Sequence, residues 1–219
     1  MGYSACSMSV KVKICGITNV PDALAAVEAG ADALGFVFHA PSPRHVSLRA
    51  AAGIIRQLPS SVVKVGVFVN AEPDLVARAA GECGLSLLQF HGEESPEYCL
   101  QFGGMSMKAF RIRDAESLKM LSRYRTDAWL LDAYAPDKAG GTGATFNWNL
   151  AVEAKKYGRL IYLAGGLTPE IVARAVKRVQ PYAVDVSSGV EAEPGKKDPA
   201  KLKAFIKAAK MEAGEKAEE

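Results

Sequence analysis

The chain is poor in aromatic residues and histidine and has no long apolar run. Aromatic residues make up 8% and the net charge is only +3. There is thus neither a base-stacking surface nor the charge to hold a phosphate backbone or an anionic membrane. No stretch of 18 apolar residues occurs, so no transmembrane helix is expected. The four cysteines, Cys6, Cys15, Cys83 and Cys99, form no CxxC pair and no zinc-type spacing. They read as the reduced thiols of a cytoplasmic protein, with no metal site. No Gly-x-Gly-x-x-Gly follows the first strand-like segment, and no Gly-Lys-Ser/Thr phosphate loop is present, so the common nucleotide signatures are missing. Residues 1–9 lack the basic start and apolar centre of a signal peptide and are expected to be a disordered extension.

What is present is a 219-residue chain, 49% hydrophobic, enough for one full core, expected over residues 10–210 with a charged tail at 211–219. Val10 to Cys15 alternates apolar and polar residues, the period of a strand. Gly16 breaks it, and Thr18 to Asp22 opens a helix with cap-type residues and an early proline. The same unit recurs. Strands are predicted at 33–38, 62–69, 86–90, 106–112, 128–131, 160–164 and 182–186. The helices between them are predicted at 47–58, 73–82, 93–102, 114–123, 149–157 and 170–178, the last capped by Thr168. A final helix is predicted at 198–210. Strict alternation of strand and helix means a parallel sheet with crossovers. Eight units of about 25 residues predict a single (β/α)₈ TIM barrel; a doubly wound open sheet is the second choice.

Pleat direction places the chemistry. In the eighth strand, Tyr182, Val184 and Val186 should face the helices, leaving Ala183, Asp185 and Ser187 inward. In the sixth, Trp129 and Leu131 should face out, with Ala128, Leu130 and Asp132 inward. Polar groups therefore collect at the C-terminal strand ends: Cys15, Gln89, His91, Asp132 and Asp185. Cys15 is either a small buried hydrophobe or a thiolate acting as base or nucleophile, with Lys13 two residues back on the same face. Asp132, if set among apolar neighbours, suits a general acid; otherwise it forms an ion pair, for which Lys13 is a candidate. Asp185 reads more strongly as such a pair. His91 is either a substrate-orienting group or a satisfied structural histidine. Gly165-Gly166 and Ser187-Ser188-Gly189 follow strands seven and eight, where barrels often bind phosphate, though glycines there also simply make turns. Gly140 to Gly143 forms a third glycine-rich stretch, in which Gly141 is a candidate substrate contact or part of a lid. Arg44, on a loop stiffened by Pro41 and Pro43, suits a bidentate grip on a carboxylate.

In these residues the chain resembles the phosphoribosylanthranilate isomerases of tryptophan biosynthesis. The resemblance spans about residues 10–206. It is carried by Lys-Ile-Cys-Gly-Ile-Thr at 13–18, Pro-Ser-Pro-Arg at 41–44, Gln-Phe-His-Gly-Glu-Glu at 89–94 and Leu-Leu-Asp at 130–132. Gly-Gly-Thr-Gly at 140–143, Leu-Ala-Gly-Gly-Leu at 163–167 and Asp-Val-Ser-Ser-Gly-Val-Glu at 185–191 complete it. Phe90 stands where an aliphatic residue is usual. The chain is expected as a monomer or a homodimer, the sequence not deciding which. The resemblance implies a cofactor-free Amadori rearrangement of phosphoribosylanthranilate. In it Cys15 would be the base, Asp132 the acid and Arg44 the carboxylate-holding residue, and the two late glycine loops the phosphate cradle. Two rivals remain. One is a histidine-pathway sugar-phosphate isomerase, which would carry an Asp at the Cys15 position and a half-chain repeat. The other is a barrel that binds a phosphate ligand without catalysis.

Overall fold

A computed structural model of the chain describes residues 9–102, 105–133 and 148–214. The glycine-rich stretch at 140–143, with Gly141, lies outside the described residues, as do Cys6 and most of the expected N-terminal extension.

Eight strands close into one parallel barrel in sequence order. They are β1 (Lys11–Cys15), β2 (Ala33–Val37), β3 (Val63–Phe68), β4 (Leu87–Phe90), β5 (Ser106–Ile112), β6 (Ala128–Ala133), β7 (Leu160–Leu163) and β8 (Ala183–Val186). The ring is completed by β1 lying beside β8, with Lys11 opposite Ala183 and Lys13 opposite Asp185. Between them run α1 (Val20–Glu28), α2 (Leu48–Ile55), α3 (Pro73–Cys83), α4 (Pro96–Leu100), α5 (Trp148–Ala154) and α6 (Val172–Val179); α7 (Pro199–Gly214) follows β8.

Alternation sorts the side chains into two apolar layers. Val12, Ile14, Trp129, Leu131, Val184 and Val186 point outward into the core shared with the helices. Val65, Met107, Ala128, Leu130, Tyr162 and Ala183 fill the barrel interior. Each strand thus buries both faces, as a fully covered parallel sheet must. Phe90 belongs to the outer layer, within stacking distance of Phe68, Tyr98 and Phe102 (5.5–6.4 Å between ring centroids).

The structure corrects the expected elements in four places. The fifth crossover is a 3₁₀ helix, Glu116–Arg123, not an α-helix over 114–123. Leu118 and Leu121, the residues it buries, are spaced by three, which a three-residue turn places one above the other. Asp114 and Ser117 also bond each other's backbone and side chain there, competing with a helical start. Thr168 does not cap α6 through its side chain. Its carbonyl accepts from Ile171 and Val172 (3.2 and 3.1 Å), and the helix proper begins at Val172. The last helix runs on to Gly214, because Met211, Glu212 and Ala213 are good helix formers, so the expected tail begins as helix. Tyr182 precedes β8, where no pleat directs it, and its ring packs on the interior Tyr162 at 5.6 Å.

One element was not anticipated. After β8 a 3₁₀ turn, Ser188–Val190, leads into a small antiparallel hairpin of β9 (Glu191–Glu193) and β10 (Lys196–Lys197). Gly195 at its tip has φ +84°, the left-handed backbone that a turn with proline before glycine requires.

Candidate active site

At the C-terminal end of the barrel a cavity of about 200 Å³ is lined by Cys15, Gln89, His91, Asp132, Asp185 and the 164–167 and 186–189 segments. Every candidate named from pleat direction at a strand end is in it, together with both late glycine loops. A larger groove of about 770 Å³ runs beside it over β5 and the 3₁₀ helix and shares only His91. The smaller cavity gathers the strand-end polar groups and is the candidate site.

Cys15 ends β1 inside the barrel mouth and is 9% exposed. Burial, the largest influence on it, pushes its thiol above the ordinary range, and the Lys13 ammonium opposes that. Lys13 is wholly buried, with its Nζ donating to Asp185 Oδ1 at 2.7 Å. Burial alone would lower its pKa, but Asp185 and Cys15 outweigh burial and raise it above the ordinary lysine range. Gly35 of β2 makes this meeting possible. A Cβ there would stand 2.9 Å from Cys15 Sγ and 3.1 Å from Lys13 Nζ. Lys13 therefore pairs with Asp185 and not with Asp132.

Asp132, on β6, is not surrounded by apolar groups. Its side chain is 30% exposed and its Oδ2 faces His91 Nε2 at 3.4 Å. The other ring nitrogen of His91 meets Gln89 Nε2 at 2.9 Å. With the amide donating, the imidazole carries its proton on Nε2, toward Asp132. His91 is thus a bridge between two cavity residues. Its loop is fixed by a buried pair that sequence reading missed. Lys108 on β5 donates to Glu94 Oε2 (2.9 Å) and to the Gly92 carbonyl (2.6 Å), while Glu94 also accepts from the Asn70 and Gly92 N–H groups, both at 2.8 Å.

The strands bearing Cys15 and Asp132 are separated round the ring by β7 and β8. The glycine loops that follow those two strands therefore lie between the two residues. Gly165 and Gly166 have φ +83° and +65°, and a Cβ on Gly166 would meet nothing within 4 Å among the described residues. Gly189 serves a different end. A Cβ there would lie 2.0 Å from the Leu167 carbonyl oxygen, so its lack of a side chain lets the two loops touch. Ser188 is exposed. Ser187 Oγ is buried and has no hydrogen-bond partner among the described residues.

Arg44 does not line this cavity. It lies at the rim, where its stem crosses Gly16, since a Cβ on Gly16 would be 2.5 Å from Arg44 Cδ. Its Nε and Nη2 donate to the two oxygens of Glu191 at 2.8 and 2.6 Å. Glu191 and Lys197, both in the unanticipated hairpin, were missed as site residues. The signal was Pro194-Gly195 between short alternating segments, a turn flanked by strands.

The closed eightfold barrel, with a thiol, a carboxyl group and two glycine loops gathered at one mouth, describes a (β/α)₈-barrel enzyme. Comparison with known proteins agrees. The family model for N-(5'-phosphoribosyl)anthranilate (PRA) isomerase matches residues 12–208. The N-(5'-phosphoribosyl)anthranilate isomerase of Citrifermentans bemidjiense is 61% identical over 200 residues, covering 91% of this chain and 97% of its own. The crystal structure of phosphoribosyl anthranilate isomerase from Thermotoga maritima superposes with a TM-score of 0.87 at 46% identity, covering 92% of this chain and 99% of that one. A second such structure, in complex with reduced 1-(o-carboxyphenylamino)-1-deoxyribulose 5-phosphate, gives 0.84 at 43% identity with the same coverage. The chain belongs to the phosphoribosylanthranilate isomerase family.

Proposed function

We propose that the chain isomerises N-(5'-phosphoribosyl)anthranilate to 1-(o-carboxyphenylamino)-1-deoxyribulose 5-phosphate in tryptophan biosynthesis, by acid–base catalysis in the cytoplasm. Support comes chiefly from one arrangement: Cys15 and Asp132 share a cavity with the 165–166 and 187–189 loops in a chain of this family.

In this reading the phosphate sits against the two loops and contributes binding energy remote from the reacting carbons. Asp132 protonates the furanose ring oxygen as the C1′–O bond breaks and the aniline nitrogen forms the iminium. The Cys15 thiolate takes the C2′ proton, giving the enolamine, which tautomerises to the ketone. Arg44 receives the anthranilate carboxylate, and His91 orients Asp132. Lys13, the cation in contact with the thiol, favours its charged form against burial.

The test follows loss of phosphoribosylanthranilate fluorescence, with the substrate made in situ. Cys15→Ser keeps size but removes an ionisable base; Asp132→Asn keeps shape but has no proton to give. Each should lower kcat by about 10²–10⁴-fold with KM little moved. Full activity in either variant sinks the assignment of that residue. No turnover by the parent protein sinks the function.

A further inference from the structure

Arg44 reaches the rim already holding a carboxylate, and how it holds it decides what it can still bind. Glu191 takes the Nε–Nη2 edge of the guanidinium. The opposite edge, Nη1 with the second Nη2 hydrogen, has no partner among the described residues. A guanidinium offers five N–H donors in a rigid plane, so one edge can be tied down while the other grips a second carboxylate.

A lone glutamate would cancel the charge that such a grip needs. Here Lys197 restores it. Its side chain is fully buried and its Nζ donates to Glu191 Oε1 at 2.8 Å. Two cations and one anion leave the cluster one net positive charge. The remaining donors of Lys197 are not idle. They bond the carbonyl of Cys15 at 2.6 Å and that of Ser187 at 3.2 Å. One ammonium therefore joins the backbone of the proposed base, the backbone of the proposed phosphate loop and the carboxylate that holds Arg44. The hairpin carrying it is itself wedged in place. The Gly195 carbonyl accepts from the Thr18 hydroxyl, and a Cβ on Gly195 would stand 3.0 Å from the Pro43 carbonyl oxygen. The Lys197 N–H donates to Asp22 Oδ2 at 2.7 Å.

We propose that Glu191 is a positioning residue that pins Arg44 by one edge so that the other meets the substrate's carboxylate, with Lys197 as its charge-restoring strut. This rests on the reading of Arg44 as the carboxylate-holding residue, and the test separates the two. The probes are reduced 1-(o-carboxyphenylamino)-1-deoxyribulose 5-phosphate and its phenylamino counterpart without the carboxyl group, each titrated by calorimetry. The parent protein should prefer the carboxylated ligand, and Arg44→Met should erase that preference. If Arg44→Met keeps it, the carboxylate is held elsewhere and both readings fall.

Given that result, Glu191→Gln decides the proposal. An amide cannot accept from both Arg44 donors and from Lys197, so the fork is no longer aimed. Binding of the carboxylated ligand should weaken about tenfold or more, and that of its counterpart should stay within about twofold, since one oriented charged hydrogen bond is at stake. Equal weakening of both ligands would mean a merely structural role. Unchanged or tighter binding of the carboxylated ligand would mean that Glu191 is neutral or competes for Arg44. Either result overturns the proposal. If Glu191→Gln does not fold, Glu191→Asp keeps the charge but shortens the reach, and must show the same selective loss.

Discussion

Replacing Lys13 by methionine separates what the buried ammonium does for the fold from what it does for the thiol. Methionine matches the length of the stem and removes only the charge. Asp185, its side chain 10% exposed, then loses a partner at 2.7 Å. Breaking a buried pair from one side costs about 3–5 kcal/mol, because the surviving charge is left uncompensated. For a domain of this size each kcal/mol lowers Tm by roughly 2–4 °C, so a fall of about 6–20 °C is expected by circular dichroism. Removing both charges, as Lys13→Met with Asp185→Leu, should recover most of that loss, since apolar replacement of a buried pair is often neutral or better. The thiol responds differently. Burial already holds Cys15 above its ordinary range, and Lys13 is the strongest influence opposing it, ahead of the unfavourable one from Asp185. A base works deprotonated, so the limb of kcat/KM that rises with pH should lie above the ordinary thiol range in the parent. It should move to still higher pH in Lys13→Met and remain displaced in the double variant. A single variant as stable as the parent would refute the energetic argument. An unmoved pH profile would refute the role of Lys13 beside Cys15.

Three further outcomes are expected. Gly166→Asp places a negative side chain in the open space before the glycine loops. It should raise KM sharply while the circular dichroism spectrum stays native, with a left-handed backbone costing only about 1–2 kcal/mol; an unchanged KM places the phosphate elsewhere. Gly35→Ala drives a methyl group between Cys15 and Lys13, with the Cys15 Cα only 3.2 Å from the new carbon. Steady-state kinetics should show a loss in kcat larger than any rise in KM. Asp32, at the opposite end of the barrel, accepts from the Val12 N–H at 2.9 Å and pairs with Lys11 and Lys210, each at 3.1 Å. Burial pushes its carboxyl up, but these partners more than offset that and hold it below the ordinary range. Its stabilisation is therefore present above the ordinary carboxylate pKa and lost as pH falls through the depressed one. Asp32→Asn should lower Tm at pH 7, do so less at pH 3, and leave kcat alone.

The barrel was legible because alternation along each strand is a local property: Val12 and Ile14 outward, Lys13 and Cys15 inward, is written in four consecutive residues. The same local rule brought Asp132, Asp185 and Ser187 to the mouth. What stayed hidden depends on pairings between distant segments. Nothing near Lys197 says that it will bond the Cys15 carbonyl, 182 residues away, and nothing near Lys108 says that it will hold the loop bearing His91. Arg44 was read as a carboxylate receptor from its stiff loop, but that one edge of it is already taken by Glu191 could be seen only once the hairpin was folded against it. The fifth crossover shows the limit in another form. A three-residue spacing of Leu118 and Leu121 also fits one face of an α-helix in outline, and only the packing decides for the tighter turn.

The pair between Lys13 and Asp185 spans the seam where the first strand meets the last, across 172 residues of chain. During synthesis the first strand therefore emerges with a cation that has no counterion until nearly the whole barrel has been made. Closing so long a loop is slow, since its entropy is lost before its contacts form. Ring closure, burial of that charge and assembly of the thiol's surroundings thus become one late event. A nascent chain that stops before Asp185 holds Cys15 but lacks the carboxylate that lets Lys13 keep its charge once buried beside it. Competence to react should appear with the final cooperative step of folding, and not build up strand by strand.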